Sequence, residues 1–499
     1  MRVPLHSGSR VPLVTLPDDA VLLGAPPPLD ALADIRAAVT EAFRYPLAGR
    51  PLDSLAPRGG RATVVVQPPA VPLPTAQDDA RRDVLAAVLG ELSRAGVARE
   101  SVTVLVAGGL ERRPGRRQLE SLLRPDQRRD FRGAIVVHDC EADDLRPVVA
   151  GRHPTRVHPT LVETDLIVTV GAGESVLHGG ATALVDASVP GTMRAARTVS
   201  LLEAKGAAAL QIGAALEEEL GREVPVVGLS VVLDRPRTTG LYRGYPWRPE
   251  AIEAVGRSPF RRLLNASPAV LRRRVLAGAP RELDVVAALA GPPSVAHAEA
   301  LVRGTAVRSV VVAQPFDTLV VPLPWEGLHL PREPLNPISA AALGLGHALR
   351  LWRNRPPLVQ GGTVVLLHPF SRVMGHGPQA PYLALFAALR DGAAAKGLGR
   401  VEAQAARDRR AIAAYRSGGA PHPRLPFTDW ETCSAMLERA GRVIVAGCRD
   451  AGAARALGLV PSHNTSTALA MAEGLAGPGG RTGVILGPPY PALVVGRGG

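Results

Sequence analysis

Residues 170–191, VGAGESVLHGGATALVDASVPG, set a glutamate and a histidine (Glu174 and His178) beside a glycine pair, directly after the apolar run ETDLIVTV. Carboxylates and imidazoles are the side chains that exchange protons with a ligand near neutral pH. In parallel α/β sheets ligands sit beyond the carboxyl ends of strands, so a stretch in this position is where chemistry is expected. Three further strand ends share that position: QPPAVPLP (67–74), GGLERR (108–113), which contains Glu111, and HDCEADD (138–144). His376, in MGHGPQ, is flanked by glycines on a loop and is a candidate for reaching into a cleft. His153 and His158, in HPTRVHP, stand five apart with prolines after both, a spacing that suits a loop or turn better than a metal site. His297 and His368 each stand alone and read as hydrogen-bonded structural histidines. Gly171 and Gly173 would let a pyrophosphate approach a helix N-terminus, but residue 176 is Val where the dinucleotide fingerprint has its third glycine. A nucleotide-dependent oxidoreductase is therefore only a minor alternative. HExxH, GxSxG and Walker motifs do not occur.

These residues need a scaffold, and the hydrophobic pattern supplies one. Residues 1–60 are rich in Pro and Gly and read as an irregular leader with one helical stretch, LDALADIRAAVTEAF. Residues 61–290 alternate strand-like runs (RATVVVQPP, SVTVLVAGG, GAIVVHD, ETDLIVTVG) with helical ones such as DDARRDVLAAVLGELSRAGV. Within them an arginine-rich stretch, 257–283, reads as a boundary or insertion, part of a longer insertion of about 235–285. Residues 291–499 repeat the alternation through DTLVVPL, GGTVVLLHP, RVIVAG and TGVILGP. Strands alternating with helices imply parallel sheets covered on both faces. At 499 residues the chain is long enough for two such domains.

Composition narrows the function classes. The formal charge is +13, but aromatic residues are only 3% and the arginines are scattered or in short runs, without the interleaved stacking platforms of a nucleic-acid groove. No apolar run approaches the roughly 18 residues of a spanning helix, and the first residues lack the unbroken apolar stretch of a signal peptide. Cys140, Cys433 and Cys448 lie far apart, forming neither a disulfide framework nor a metal knuckle. A cytoplasmic protein is expected, with neither membrane nor nucleic acid as partner. Its oligomeric state is left open.

Taken in order, these pieces resemble the nickel-dependent lactate racemase family. VLVAGGLERR is similar to the family's strand ending in A-T-G-x-H-R, and VVHDCEADDL to its N-H-D-like segment. ETDLIVTVGAGES…VPG is similar to its D-x-x-x-x-x-G-x-I-E-P-H…G-F-S-G-G-x-K…P-G loop. AGPPSVAHAEAL, GGTVVLLHPFSRVMGHG and PSHNTSTALAMAEGLAGPGGRTGVILGPPYP are similar to later segments. The resemblance runs from about residue 60 onward and leaves 235–285 unplaced. It implies a two-domain α/β lactate racemase-like fold with parallel-sheet domains and an interdomain cleft. In active members that cleft holds a nickel pincer nucleotide, tethered to a lysine and ligated by a histidine, which accepts hydride from the substrate Cα. Two further histidines take the hydroxyl proton and an arginine grips the carboxylate.

Carried over residue by residue, the resemblance puts Val71 at the arginine, Glu111 at the first histidine, Val176 at the second and Asp186 at the tethering lysine. Glu174 keeps the family glutamate, and Pro190 with Gly191 keeps the end of the loop. Lys205 and Lys396 are the only lysines in the chain, neither lies in this loop, and the segment after it has no histidine for nickel. The resemblance therefore implies a divergent member that takes a small-molecule ligand in the cleft, with no metal site and no bound cofactor expected. One reading is a non-canonical ligand-binding protein, a pseudoenzyme. The other is an isomerase, a racemase or epimerase of a small 2-hydroxy acid or sugar acid. In that case Glu111, His178 and Asp186 take altered acid–base roles, and Glu174 and His376 bind substrate.

Overall fold

The computed structural model of the chain describes residues 1–68, 78–238, 242–279, 281–327, 329–330, 333–375, 377–393 and 395–496. Val71 and His376 lie outside the described residues.

Runs of Val, Ile and Leu without polar alternation require cover on both faces, and the first sheet has it. Its strand order is Val285–Gly291, Val226–Leu233, Leu166–Ala172, Ala62–Val66, Val102–Val106, Ala134–Val137. All neighbours are parallel except the antiparallel edge strand Val285–Gly291. Helices Ile35–Arg44 and Arg81–Arg94 bury Val39, Phe43, Val84 and Leu92 against one face. Helix Ala208–Leu220 and the short helix Thr182–Asp186 bury Ile212, Leu216 and Leu184 against the other. Helix Pro293–Arg308 also lies on this sheet, beside Val226–Leu233.

The second sheet is wholly parallel and runs Val460–Ser462, Arg442–Ala446, Leu358–Leu367, Phe316–Pro324, Thr482–Ile485, Val21–Leu23. Residues 1–60 are thus not irregular apart from one helix. Val21–Leu23 is an edge strand of the second sheet, and Ser7–Gly8 pairs with the end of Phe316–Pro324. HPTRVHP departs from a loop as well: His153–Val157 is a strand paired with Arg146–Ala150. The arginine-rich stretch forms helices Pro249–Arg257, Pro259–Ala266 and Ala269–Ala277, which fasten onto the leader. Asn265 Nδ2 and Arg261 Nη1 donate to the carbonyl of Val11 at 2.8 and 3.1 Å, and the Tyr245 hydroxyl donates to that of Pro4 at 2.8 Å.

NPISAAALGLGHAL begins as the helix Pro337–Ala341 and then widens into a π-helical turn, Ala342–His347. A Cβ on Gly346 would meet the Thr432 side chain at 2.0 Å, so the backbone there lies directly against its neighbour. The two halves of the molecule meet along polar seams. Arg112 and Arg113 donate to the carbonyls of Gly418 and Arg416 at 2.6 and 2.9 Å, and Arg350 donates to those of Thr198 and Val199.

Candidate functional site

The carboxyl ends of the first sheet open into a cavity of about 290 Å³ walled by Gln67, Arg81, Arg82, Glu111, Glu174, His178 and His329. Glu111 sits in the tight turn after Val102–Val106, where its N–H donates to the carbonyl of Gly108 at 2.9 Å. Gly109, at φ +54°, makes that turn feasible, and a Cβ there would lie 3.1 Å from the Asp186 carboxylate.

Across the cavity stands a side chain from the other half. His329 donates from Nδ1 to Glu111 Oε1 at 3.0 Å and from Nε2 to Asp429 Oδ1 at 3.2 Å, while the Tyr382 hydroxyl donates to Asp429 Oδ2 at 2.6 Å. Burial alone would discharge the ring. The paired carboxylates, Asp429 before Glu111, overcome it and hold the imidazole well above its ordinary pKa, so the ring is a cation donating from both nitrogens.

The stretch 170–191 sorts its residues differently from their order in sequence. Val176 is buried in an apolar cluster with Leu202, Ala207, Leu301 and Ala492. His178, two residues on, lines the cavity, with Nδ1 3.5 Å from the Ser175 hydroxyl. Burial drives its pKa down to about 4 against the opposing pull of Glu111, leaving it neutral. Asp186 ends the helix Thr182–Asp186 and is clasped from the cavity wall: Gln67 Nε2 donates to Asp186 Oδ2 at 2.5 Å, and Gln67 Oε1 accepts from the Gly179 N–H at 2.6 Å. Burial raises its pKa to about 7 despite that bond, and the charge of Glu111 adds to the rise. Glu111 and His178 thus share one cavity wall, with Asp186 behind Gln67.

The glycines of this stretch serve packing. A Cβ on Gly179, φ +107°, would lie 2.5 Å from the His297 ring; on Gly173 it would lie 2.4 Å from the backbone of Ala300. Helix Pro293–Arg308 can approach only because these side chains are missing. His297 Nε2–H then donates to the Ser175 carbonyl at 3.0 Å, which makes this histidine a support for the loop. HDCEADD is likewise part of the seam, with Asp139 bound by Arg416 at 3.0 Å and Glu141 by His422 at 3.1 Å.

Glu174 marks the boundary with a smaller chamber of about 80 Å³, lined also by Asp234, Arg235, Arg308 and His347. Arg235 is 2% exposed, yet among the described residues none of its three guanidinium nitrogens has a hydrogen-bond partner; Asp234 is 4.0 Å from Nε and the Trp247 ring 5.6 Å from the guanidinium carbon. Arg308 is held by the carbonyls of Gly173 and Gly304 at 2.8 and 2.9 Å. Among the described residues no group of three or more His, Cys, Asp or Glu is arranged to hold a metal ion.

Gln67, His329, Asp429, Tyr382 and Arg235 were not singled out by the sequence patterns. Gln67 opens a flagged strand end, and that was the available signal. The others stand in segments without a motif and meet only through the docking of the two halves.

Residues 8–180 match the lactate racemase N-terminal domain family. The whole chain superposes on the lactate racemase apoprotein from Thermoanaerobacterium thermosaccharolyticum with a TM-score of 0.61 at 15% identity, covering 100% of both chains, a likeness of fold. A Thermotoga maritima protein is similar at a TM-score of 0.48 and 10% identity over 92% of this chain and 97% of its own, too loose a likeness to argue from. No curated protein matches the sequence. No helix among the described residues is long and apolar enough to cross a membrane.

Proposed function

Because the chain belongs to the lactate racemase family, through the N-terminal domain that residues 8–180 carry, we propose that it is a divergent member that binds a small 2-hydroxy acid or sugar acid between its halves without the family's tethered nickel cofactor. The observation that carries this reading is the state of Asp186. The cofactor supplies a hydride acceptor, and its tether demands a nucleophilic amine; at the matching position stands a half-buried carboxyl group already clasped by Gln67. Lys205 is exposed on a turn outside the cavity, and Val176 is committed to an apolar cluster. These residues do not fit the group.

What remains suits recognition of a hydroxy acid. Glu111, fixed through one oxygen by His329, is a charged acceptor for a ligand hydroxyl, and the guanidinium of Arg235 in the adjoining chamber, paired only at 4.0 Å with Asp234, has the fork geometry for a carboxylate. Purification from a host that makes the pincer nucleotide, followed by intact mass and nickel analysis, tests the first half; a lysine adduct with stoichiometric nickel would overturn it. Calorimetric titration with D-lactate, L-lactate and gluconate tests the second, with binding expected in the native chain and lost in Arg235→Gln.

A second reading is favoured by the relay Glu111–His329–Asp429–Tyr382, since buried titratable clusters on a cavity wall are a hallmark of acid–base catalysis. In it the cleft is a racemase or epimerase site with Glu111 as the proton acceptor. Polarimetry on the same ligands decides: turnover abolished by Glu111→Gln establishes this reading, and the absence of any optical change leaves the binding protein.

A further inference from the structure

The second sheet has a cavity of its own, away from Glu111 and His178. It measures about 490 Å³ and lies where the strands of that sheet end: Trp325 follows Phe316–Pro324, His368 follows Leu358–Leu367, and Arg449 lies just beyond Arg442–Ala446. Thr465, the first residue of the twelve-residue helix Thr465–Ala476, lines it too, so the positive end of that helix faces the space. The opposite wall comes from two unrelated segments, the leader with Arg10 and the 235–285 stretch with Arg272 and Arg273.

Four arginines therefore converge from three parts of the chain, and the described lining residues include no aspartate or glutamate. Asp450, next to Arg449, is engaged by Arg372 at 2.9 and 3.2 Å. Arg272 is 5% exposed and is held by neutral groups, with Nε donating to the Ser9 hydroxyl at 3.1 Å and Nη1 to the carbonyls of Asn265 and Ser267. Burial, and then the charges of Arg10, Arg449 and Arg273, depress its pKa. Crowded like charges without a counter-charge oppose folding, and an anion seated among them reverses that cost. The volume falls within the range of small-molecule sites.

We infer that this cavity binds a small polyanion, a molecule carrying phosphoryl groups or several carboxylates, and that the 235–285 segment exists in part to wall it. The site is separate from the proposed hydroxy-acid cleft and stands or falls independently of it.

The test is calorimetric titration of the full-length chain at low ionic strength with pyrophosphate, ATP and citrate. The variant is Arg10→Gln/Arg449→Gln, both arginines being exposed, with Arg410→Gln as a surface control elsewhere. One saturable site is expected, at least about tenfold weaker in the double variant and unchanged in the control. Binding of pyrophosphate and ATP but not citrate assigns a phosphoryl ligand, and the converse a polycarboxylate. Failure of all three to bind, or equal binding by the double variant, overturns the proposal. So does a 20-nucleotide single strand that outcompetes ATP and depends on the same arginines, because the surface then recognises nucleic acid.

Discussion

At the end of the first sheet the cation His329 lies between Glu111 and Asp429, with Tyr382 bonded behind, so every charge in the relay has a partner. At the end of the second sheet Arg272 is buried as well, but it leans on a serine hydroxyl and backbone carbonyls, with further arginines around it. Both clusters occupy the position where parallel sheets bind ligands. The difference lies in how each is balanced. A self-paired cluster keeps its geometry without a guest and can present a preformed surface to one. An unbalanced cluster draws its counter-charge from solution, so its stability and its occupancy are the same measurement.

That contrast can be broken most forcefully at His329. Replacing it with Gln leaves Glu111 and Asp429 on either side of a neutral side chain, and the expected loss is about 3–5 kcal/mol by urea unfolding at pH 6. Because the folded-state pKa of His329 is raised, its contribution is complete below the ordinary value of 6.5 and disappears as pH rises through the folded value. The gap between variant and parent should therefore close in alkaline solution; a gap that does not change with pH would show that the imidazole is not held as a cation. Asp186→Asn should act with the opposite sign. Asp186 has its pKa raised from 3.8 to about 7, so the folded state holds the proton more tightly and stability declines as pH climbs between those values. Asn removes that decline. The variant should match the parent near pH 4 and exceed it by about 2–4 kcal/mol at pH 8, as read from thermal unfolding across pH. Val176→His restores the residue type that the family resemblance assigns there, yet places it among Leu202, Ala207 and Leu301; a loss of about 1–3 kcal/mol without new nickel binding is expected. Equilibrium dialysis that finds nickel in this variant would reopen the loop as a metal site. Smallest of all, Lys205→Ala should change stability by no more than about 0.5 kcal/mol and leave hydroxy-acid titrations unaltered.

The parallel sheets were legible because Val-rich runs such as ATVVV and LIVTV admit no other environment, and their order along the chain carried the family resemblance. The site was legible only in part. Glu111 and His178 stood out as polar residues at strand ends, and both line the cavity. Asp186 was found through the resemblance, but its partner Gln67 was not, because a glutamine before prolines has no signature. His329 and Asp429 lie in stretches with no periodic or motif signal, and what joins them to Glu111 is the docking of two halves, information that no local window contains. Arg272 and Arg273 were visible as part of a basic run. That they face Arg10 and Arg449 depends on helix Ala269–Ala277 folding back over the leader, a contact between segments far apart in the chain.

The placement of Val21–Leu23 has a consequence for how the molecule is made. Its hydrogen-bonding partner, Thr482–Ile485, is synthesised near the opposite end of the chain, while the helix Ile35–Arg44 that follows it docks on the first sheet. During translation the first sheet can assemble as its strands emerge, but the edge of the second stays unpaired until Thr482–Ile485 arrives. Such a long-range closure is slow and leaves a strand edge open to wrong pairing in the interval. Expressed without the leader, the second half lacks Val21–Leu23 and leaves the Thr482–Ile485 edge open to pairing with another chain.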